Sequence, residues 1–381
     1  MSKRRLRELA LASHTRMTIA AGVWLSLFAY AGRPLLAAAA AAGLAPAIGW
    51  TLVMAAAVIP ALPMLAGRRS GAHWSGYAVL ALFSTLLVLV LIGDVVRGAY
   101  TLLRWAAPTW PLLDPRTVSL TILAAAGALT LVGVVQARCP RVRNVTVPID
   151  DLPPELDGYR IVQWSDVHVG PTIRRAFVES LVARTNALDA DAVVITGDLV
   201  DGYADDLREE VQPMRGLRPR DGVFYVTGNH EYYWRASEWI PLLQSLGLDF
   251  LKNEHRVLRG GRLVIAGVTD PVGRYTHKQD PDRALAGAPA GAVKVLLSHR
   301  PQTAEAASRL GAHLQLSGHT HGGQFFPFNL FIHRFQPIAK GLHRVGRTWL
   351  YVNRGTGYWG PPTRLAVGGE ITVIELRAAA K

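Results

Sequence analysis

The 381-residue chain is half apolar, carries a formal charge of +13 and contains a single cysteine, Cys139. This apolar content excludes a disordered or collagen-like chain, and one cysteine excludes both an intrachain disulfide and a metal site built on thiolates. The first 150 residues hold 14 of the 41 basic residues but only 4 of the 28 acidic ones. Because most of the positive excess lies outside the more polar second half, we expect no nucleic-acid partner.

Four apolar stretches of the first half are predicted to be membrane helices. They lie near residues 17–32, 46–66, 74–93 and 117–137, and about 20 apolar residues are enough to span a bilayer. The second stretch contains Pro46, Pro60 and Pro63, which a membrane helix tolerates only where neighbours satisfy the freed carbonyl groups. We therefore predict a multi-pass transmembrane anchor of four helices over residues 1–140, with the lipid bilayer as its partner.

Basic residues mark one side of this predicted anchor. They precede the first span, follow the second and follow the fourth, at Lys3, Arg4, Arg5, Arg7, Arg16, Arg68, Arg69, Arg138, Arg141 and Arg143. Cytoplasmic loops carry an excess of Lys and Arg. Both termini, and with them the second half of the chain, are therefore predicted to be cytoplasmic.

The second half has the pattern of a separate α/β domain over residues 159–381, joined to the anchor by a linker over 141–158. Short runs rich in Val, Ile and Leu, each bounded by polar residues or glycine, predict buried strands at residues 160–164, 192–196, 223–227, 263–267, 293–297, 314–316, 349–352 and 371–376. Helical patterns at 174–188 and 237–246 lie between them. Strands that alternate with helices predict a sheet covered by helices on its faces.

Five of the predicted strands end in side chains that can bind a metal cation. These are Asp166 and His168, then Asp198 and Asp201, then Asn229 with His230 and Glu231, then His299, and finally His319 and His321. Ligands of open α/β sheets gather at the carboxyl ends of strands, so we expect these groups to share one cavity. Imidazole, carboxylate and amide donors without sulfur suit Mn, Fe, Zn or Co. One such motif alone is usually a surface loop, but five in order indicate a metal centre.

The order of these motifs resembles that of the calcineurin-like metallophosphoesterases. The matching pattern is Asp-x-His, Gly-Asp-x-x-Asp, Gly-Asn-His-Glu, His and Gly-His-x-His, over about residues 155–376. It is similar in particular to a membrane-anchored bacterial subgroup that includes phosphodiesterases and enzymes that hydrolyse UDP-2,3-diacylglucosamine in lipid A biosynthesis. The resemblance implies a two-sheet αββα sandwich, a bacterial inner or cell membrane location, two divalent metal ions and hydrolysis of a phosphodiester or diphosphate bond.

The resemblance also implies a role for each matched residue. One ion would be held by Asp166, His168, Asp198 and His321, and the other by Asp198, Asn229, His299 and His319, so that Asp198 bridges the two. His230 directly follows an amide ligand, and we expect it to stabilise developing charge or to protonate the leaving oxygen. Asp201 and Glu231 would not bind the ions themselves but would orient the residues that do. Glu231 departs from the family pattern, in which Asp is common at this position.

The substrate is less constrained by the sequence. Aromatic residues follow the last motif at Phe325, Phe326, Phe328, Phe331 and Phe335, and Tyr358 and Trp359 come later. They could form an apolar wall for acyl chains or rest at the level of the lipid headgroups, or they could pack as a small core under a long loop. A membrane anchor favours a lipid-linked substrate such as UDP-2,3-diacylglucosamine. The alternative function is a non-catalytic membrane receptor or sensor that retains the metal site as a structural element.

Overall fold

The computed structural model describes residues 3–61 and 72–379. The chain divides into two compact units, Met1–Val132 and Gly133–Lys381. Helices and strands are numbered below in chain order.

The first unit is helical. Its helices are α1 (Lys3–Ala31), α2 (Arg33–Ala41), α3 (Pro46–Val58), α4 (Ala72–Ala106) and most of α5 (Pro115–Arg138). Two helices, His73–Ala106 and α5, are long and apolar enough to cross a membrane, with mean hydropathies of 2.6 and 2.3. A third crossing is formed if Thr15–Ala31 and α2, which meet at a bend of 43°, act as one span. The described residues therefore hold two or three such spans, not the four predicted.

The predicted first and second spans account for the difference, since residues 17–32 count as a crossing only together with α2. Helix α3 has only 13 residues, which at 1.5 Å per residue reach about 20 Å of the roughly 30 Å needed. Pro60 lies in a 3₁₀ turn that ends α3, while Pro63 and the Arg68–Arg69 loop lie outside the described residues. The third predicted span, 74–93, lies within the span His73–Ala106, but the helix continues past Asp94. The Asp94 carboxylate pairs with Arg33 at 2.5 Å and accepts a hydrogen bond from Tyr30 at 2.7 Å, so this charge interrupts the apolar pattern without ending the helix.

The second unit contains two six-stranded mixed sheets. In the first, the order is β1 (Arg141–Ile149), β12 (Glu370–Ala378), β2 (Arg160–Trp164), β3 (Ala192–Thr196), β4 (Val223–Val226) and β5 (Leu248–Phe250). In the second, the order is β10 (Gly341–Val345), β11 (Thr348–Val352), β9 (Leu314–Ser317), β8 (Val293–Leu297), β7 (Leu263–Gly267) and β6 (Glu254–Leu258). Strands β2 to β5 are parallel, and so are β11, β9, β8 and β7.

Alternation along the strands builds a core on both sides of each sheet. Ile161 and Val194 face inward and pack with Ile265 and Leu316 of the other sheet. Their neighbours Val162, Val193 and Ile195 face outward, against the helices α6 (Arg175–Asn186), α7 (Ala204–Val211) and α9 (Ala236–Ser245). The helices α10 (Pro281–Leu285) and α11 (Ala304–Arg309) cover the outer face of the second sheet. The predicted αββα sandwich is therefore confirmed.

The segment 141–158, expected to be a linker, is part of this sandwich. Strand β1 pairs with β12 in a parallel register from Arg141↔Glu370 to Ile149↔Ala378. Val147 and Ile149 are buried in the core between the sheets, and the alternation of Val145, Val147 and Ile149 with polar residues is the reason that this segment forms a strand. The sequence prediction also lacks β5, β6 and β10, which are short or polar strands at sheet edges.

Candidate metal centre

The predicted metal-binding residues come from five strand ends. Asp166, Asp198 and His299 are each the second residue after β2, β3 and β8, His319 is the second after β9, and Asn229 is the third after β4, where it begins the short helix α8 (Asn229–Tyr233). Because these strands are parallel within each sheet, their carboxyl ends lie at one edge of it. The structure brings the side chains from both sheets together at this edge.

One group of donor atoms comes from Asp166, His168 and His321. The Nε2 atoms of His168 and His321 lie 3.1 Å apart, and Nε2 of His321 lies 3.3 Å from Oδ1 of Asp166. Asp166 and His168 are buried. These three side chains present nitrogen and oxygen donors to a common point.

A second group comes from Asp198, His299 and His319. Nε2 of His299 lies 3.2 Å from Oδ2 of Asp198 and 3.1 Å from Nδ1 of His319. Nδ1 of His299 lies 2.8 Å from the carbonyl oxygen of Thr196. A ring that donates from Nδ1 to a backbone carbonyl keeps Nε2 free to bind a cation.

Asn229 directly precedes His230, whose backbone N–H donates to Oδ1 of Asp198 at 2.8 Å. The Oδ1 atom of Asn229 is buried and, within the described part of the chain, has no hydrogen-bond partner. A buried amide oxygen without a partner costs about 1–3 kcal/mol. A bound cation would give this oxygen a partner, so the lack of a hydrogen bond at Oδ1 fits a metal site.

Asp198 lies between the two groups. The Oδ2 atom that is 3.2 Å from His299 is also 4.0 Å from Nε2 of His168. Zinc-like cations bind nitrogen and carboxylate oxygen at about 2.0–2.2 Å, so two ligands of one ion lie roughly 3 Å or more apart. The donor spacings of both groups match this requirement, and the residues present fit divalent cations.

Five of the metal-binding positions have an unusual backbone conformation. Asp166, His168, Asp198, His319 and His321 all have a positive φ, between 50° and 72°. Non-glycine residues avoid this left-handed region, and each such residue costs about 1–3 kcal/mol. Strain of this kind persists where the surrounding fold holds side chains in a functional position.

Two glycines allow the strand ends to approach one another. A Cβ atom on Gly228 would overlap the Asp198 carboxylate, and a Cβ on Gly318 would overlap Ser165 and the Asp166 carboxylate. Gly228 therefore lets the ends of β3 and β4 approach within the first sheet, and Gly318 lets the end of β9 in the second sheet approach the end of β2 in the first.

Burial keeps most of the histidines neutral, as metal ligation requires. Burial lowers the pKa of His168 to about 4 and that of His319 to about 3. Burial, with the nearby charges of His168 and Arg364, holds the pKa of His321 well below its usual value.

His299 and Asp198 form a tightly coupled pair. Burial would raise the pKa of Asp198, but the charge and hydrogen bond of His299 outweigh it and hold this pKa well below the usual range. Burial would likewise lower the pKa of His299, but Asp198 outweighs it and raises this pKa to about 10. Asp166 lacks such a partner, and burial raises its pKa to about 6. The site thus holds several buried carboxylates, and burying a carboxylate without a nearby positive charge costs free energy.

Glu231 contacts the backbone next to the metal-binding residues. Its carboxylate accepts hydrogen bonds from the backbone N–H groups of Gly228 at 2.6 Å, Leu199 at 2.7 Å and Asp198 at 3.1 Å. The side chain is fully buried. Glu231 therefore ties the loop after β3 to the start of α8.

His230 lies beside the donor groups and is held by Asp201. Its Nδ1 is 3.1 Å from Oδ1 of Asp201, which also accepts a hydrogen bond from Nε1 of Trp234 at 2.7 Å. Burial would lower the pKa of His230, but the Asp201 hydrogen bond and the charge of Asp198 outweigh it, so the pKa is raised. The side chain remains 14% exposed, so the ring is reachable from solvent.

Sequence analysis missed Arg364. Its guanidinium is fully buried, donates to the carbonyl oxygens of Gly357 at 2.6 Å and Arg354 at 2.7 Å, and lies 3.0 Å from Nδ1 of His321. It connects the segment between β11 and β12 to a metal-site histidine. No sequence pattern marks it, because it lies in an irregular segment more than 40 residues from the histidine that it contacts.

The aromatic residues after His321 are mostly exposed. Phe328, Phe331 and Phe335 are 42%, 56% and 68% exposed, and Leu330 is 65% exposed. These side chains lie on or beside the helix α12 (Phe328–Phe331) and do not pack as a core under the loop, whereas Tyr358 is buried in the core of the second unit. Trp359, 49% exposed, has its ring centroid 6.2 Å from that of His230 and 6.5 Å from that of Phe325. An apolar surface therefore reaches the edge of the site.

Comparison with known proteins places the chain in a family. Residues 159–323 match the family model described as calcineurin-like phosphoesterase. The chain is 35% identical over 326 residues to a transmembrane protein with metallophosphoesterase domain from Danio rerio, covering 81% of this chain and 75% of that protein. A protein of the same description from Bos taurus is 38% identical, over 80% and 73% of the two chains. An uncharacterised metallophosphoesterase of Campylobacter jejuni is 32% identical, over 79% and 82%. With the five motifs, the two-sheet sandwich and these relatives in agreement, this chain belongs to the calcineurin-like metallophosphoesterase family.

Proposed function

We propose that the chain is a membrane-anchored hydrolase that cleaves a phosphodiester or diphosphate bond at a centre of two divalent ions. Asp166, His168, Asp198 and His321 would hold one ion, and Asp198, Asn229, His299 and His319 the other. The observation that carries this proposal is the position of Asp198 Oδ2, within 4.0 Å of a histidine nitrogen in each donor group.

The donor set also restricts the ions. It consists of imidazole, carboxylate and amide groups without thiolate, which suits Mn, Fe, Zn or Co. When bound, a pair of such ions about 3.5–4 Å apart lowers the pKa of water and neutralises charge on the phosphoryl oxygens of an in-line displacement. The carboxylates of the site would then have the positive charge that their burial requires.

His230 is proposed as the catalytic residue. Asp201 accepts from Trp234 and holds Nδ1 of His230, so the Nδ1 proton points to Asp201 and Nε2 is left for the substrate. Because the hydrogen bond to Asp201 and the charge of Asp198 raise the pKa of His230, the protonated ring is stabilised relative to a free imidazole. The ring can therefore stabilise negative charge on the phosphoryl group or give a proton to the leaving oxygen.

The substrate is proposed to be lipid-linked, with UDP-2,3-diacylglucosamine of lipid A biosynthesis as the specific example. Support comes from the exposed side chains of Phe328, Leu330, Phe331 and Phe335 and from Trp359, which connects this surface to His230. Exposed apolar patches of this kind mark sites for ligands or membranes. The apolar spans of the chain would keep such a substrate at the same bilayer. We further propose a multi-pass location in a bacterial inner or cell membrane, with the second unit in the cytoplasm.

The central test is metal-dependent turnover by the full-length protein in detergent. The purified chain is stripped of metal, reloaded with Mn, Fe, Zn or Co, and assayed on a soluble phosphodiester, a nucleoside diphosphate sugar and UDP-2,3-diacylglucosamine. We expect Asp198→Ala to lose metal and activity together, and His230→Ala to lose activity while metal content, measured by mass spectrometry, is retained. Full turnover by His230→Ala would remove this residue from the reaction. Metal binding without hydrolysis of any substrate would favour the receptor or sensor function.

A second test addresses the lipid. Replacing Phe331 or Phe335 with Ser is expected to raise KM for the acylated substrate about fivefold each, since half of the transfer free energy of a Phe side chain is about 1 kcal/mol. KM for the soluble phosphodiester should stay unchanged. Val257→Ser, at an exposed position of β6 on the edge of the second sheet, is the control. Equal turnover of acylated and soluble substrates by the wild-type protein would contradict a lipid-linked substrate.

A further inference from the structure

A second, basic cavity lies in the unit Gly133–Lys381, apart from the metal donors. It has a volume of about 360 Å³ and is lined by the last turn of α5, by the start of β1 and by the segment that leads into β12. The polar side chains that line it are Gln136, Cys139, Arg141, Arg143, Arg354 and Glu370.

The cavity carries an excess of positive charge. Arg141 and Arg143 are exposed and lie two residues apart on the edge strand β1, so they point to the same face. Among the described residues, no carboxylate forms an ion pair with Arg141 or Arg143.

The single carboxylate of the cavity is already engaged. Glu370 accepts hydrogen bonds from the Tyr351 hydroxyl at 2.7 Å and from the backbone N–H of Arg354 at 3.1 Å, and its Oε2 lies 3.7 Å from Nε of Arg354. Its side chain is only 5% exposed. Glu370 thus offsets Arg354, while the cationic side chains of Arg141 and Arg143 remain for a ligand.

The position of the cavity along the chain places it at a membrane surface. Helix α5 is long and apolar enough to span a bilayer and ends at Arg138. Arg141 follows three residues later, at most about 10 Å further on, and the headgroup layer extends roughly 5–8 Å beyond the hydrocarbon on each side. Gln136 and Cys139 belong to the end of the helix itself.

We infer that this cavity, lined by Arg141, Arg143 and Arg354, binds the phosphate headgroup of an anionic phospholipid. Clustered cations immediately next to a membrane span bind anionic lipid headgroups, and arginine forks match phosphate oxygens. Gly368 lies on the wall, where a Cβ atom would meet nothing within 4 Å, so the cavity has room for a headgroup. This lipid is a bound ligand at a site distinct from the metal centre, and its binding does not depend on the proposed hydrolysis.

Cys139 provides a direct probe, because it is the only cysteine of the chain and it lines the cavity. The full-length protein is placed in nanodiscs of phosphatidylcholine with increasing fractions of phosphatidylglycerol, and the rate of Cys139 alkylation by a maleimide is measured. We expect phosphatidylglycerol to slow alkylation in a saturable way. Each of Arg141→Gln and Arg143→Gln should raise the half-saturating fraction about fivefold, as one basic residue near an anionic surface contributes. Arg347→Gln, at an exposed position of the same unit, should leave it unchanged.

Inorganic phosphate, added to nanodiscs of phosphatidylcholine alone, distinguishes a lipid from a soluble anion. Weak protection by phosphate, with stronger protection by phosphatidylglycerol, supports the inference. Protection by phosphate to which phosphatidylglycerol adds nothing would overturn it in favour of a soluble anion. Alkylation rates that change neither with lipid composition nor with the two arginine substitutions would overturn the inference altogether. Because both arginines are exposed, the variants should fold, and equal thermal midpoints would verify this.

Discussion

Gly318 provides a sharp test of how tightly the two sheets meet at the site. A Cβ atom at this position would overlap Oγ of Ser165 and Oδ2 of Asp166 and would lie 2.8 Å from Cβ of Ser165. Ser165 and Asp166 are both fully buried, so neither can turn out into solvent. Gly318→Ala must therefore push the loop after β9 away from the loop after β2.

The cost can be worked out from these contacts. Overpacking of a buried position costs about 1–3 kcal/mol. The hydrogen bond from Ser165 Oγ to Asp166 Oδ2, 2.5 Å long, involves a charged acceptor and contributes about 1.5–3 kcal/mol. A total of about 2.5–6 kcal/mol corresponds to a fall in thermal midpoint of roughly 5–24 °C for a unit of this size. Displaced Asp166 and His319 should also bind metal more weakly.

The assay is thermal unfolding of the full-length protein in detergent, with chelator and with added metal, together with metal content. Gly127→Ala is the matched control, because a Cβ at this helical position of α5 meets nothing within 4 Å and alanine favours a helix. We expect Gly318→Ala to lower the midpoint even with chelator and to lose metal, and Gly127→Ala to do neither. A Gly318→Ala protein with the wild-type midpoint and full metal content would refute the steric reasoning.

Three further predictions concern groups around the metal donors. Glu231→Ala leaves three buried backbone N–H groups without an acceptor, at about 1–3 kcal/mol each, so differential scanning fluorimetry should show a midpoint lower by at least about 6 °C; an unchanged midpoint would contradict its bridging role. Asp201→Asn removes the charge that helps to raise the pKa of His230. We expect kcat to fall about 10–100-fold at unchanged metal content. Because His230 would lose its proton more easily, the decline of kcat at high pH should begin at a lower pH. Because Asp198 outweighs burial and raises the pKa of His299 to about 10, this ring is protonated at neutral pH and must lose its proton to bind a cation. Metal affinity should therefore rise with pH, up to tenfold per unit below pH 10, and calorimetry in two buffers should detect about one released proton; a pH-independent affinity would exclude this competition.

The α/β fold and the place of the metal centre could be predicted from the sequence because both depend on local patterns. Runs such as Arg160–Trp164 and Ala192–Thr196 are continuous apolar segments bounded by polar residues, and they form the strands β2 and β3 with the predicted bounds. Each motif residue lies within a few positions of such a strand end. Since parallel strands present their carboxyl ends at one edge, knowledge of the strands locates the site.

The anchor was predicted less well, because hydropathy reports composition and not where a helix starts or stops. The apolar stretch that begins at Pro46 forms a described helix of only 13 residues, whereas the one that contains Asp94 continues as a helix of 35 residues. The partner that decides the second case is Arg33, 61 residues away. A hydropathy average over a short window of sequence does not detect such a pairing.

Local patterns in the sequence determined the strands, the order of the metal motifs and the family of this protein. Only the tertiary structure decided that Oδ2 of Asp198 lies near both donor groups, that Arg364 contacts His321 and that Phe331 is exposed. The physical reason is that strand periodicity acts over a few residues, whereas these three facts depend on how two sheets and the loops between them pack, with partners that lie from 30 to about 100 residues apart in the chain.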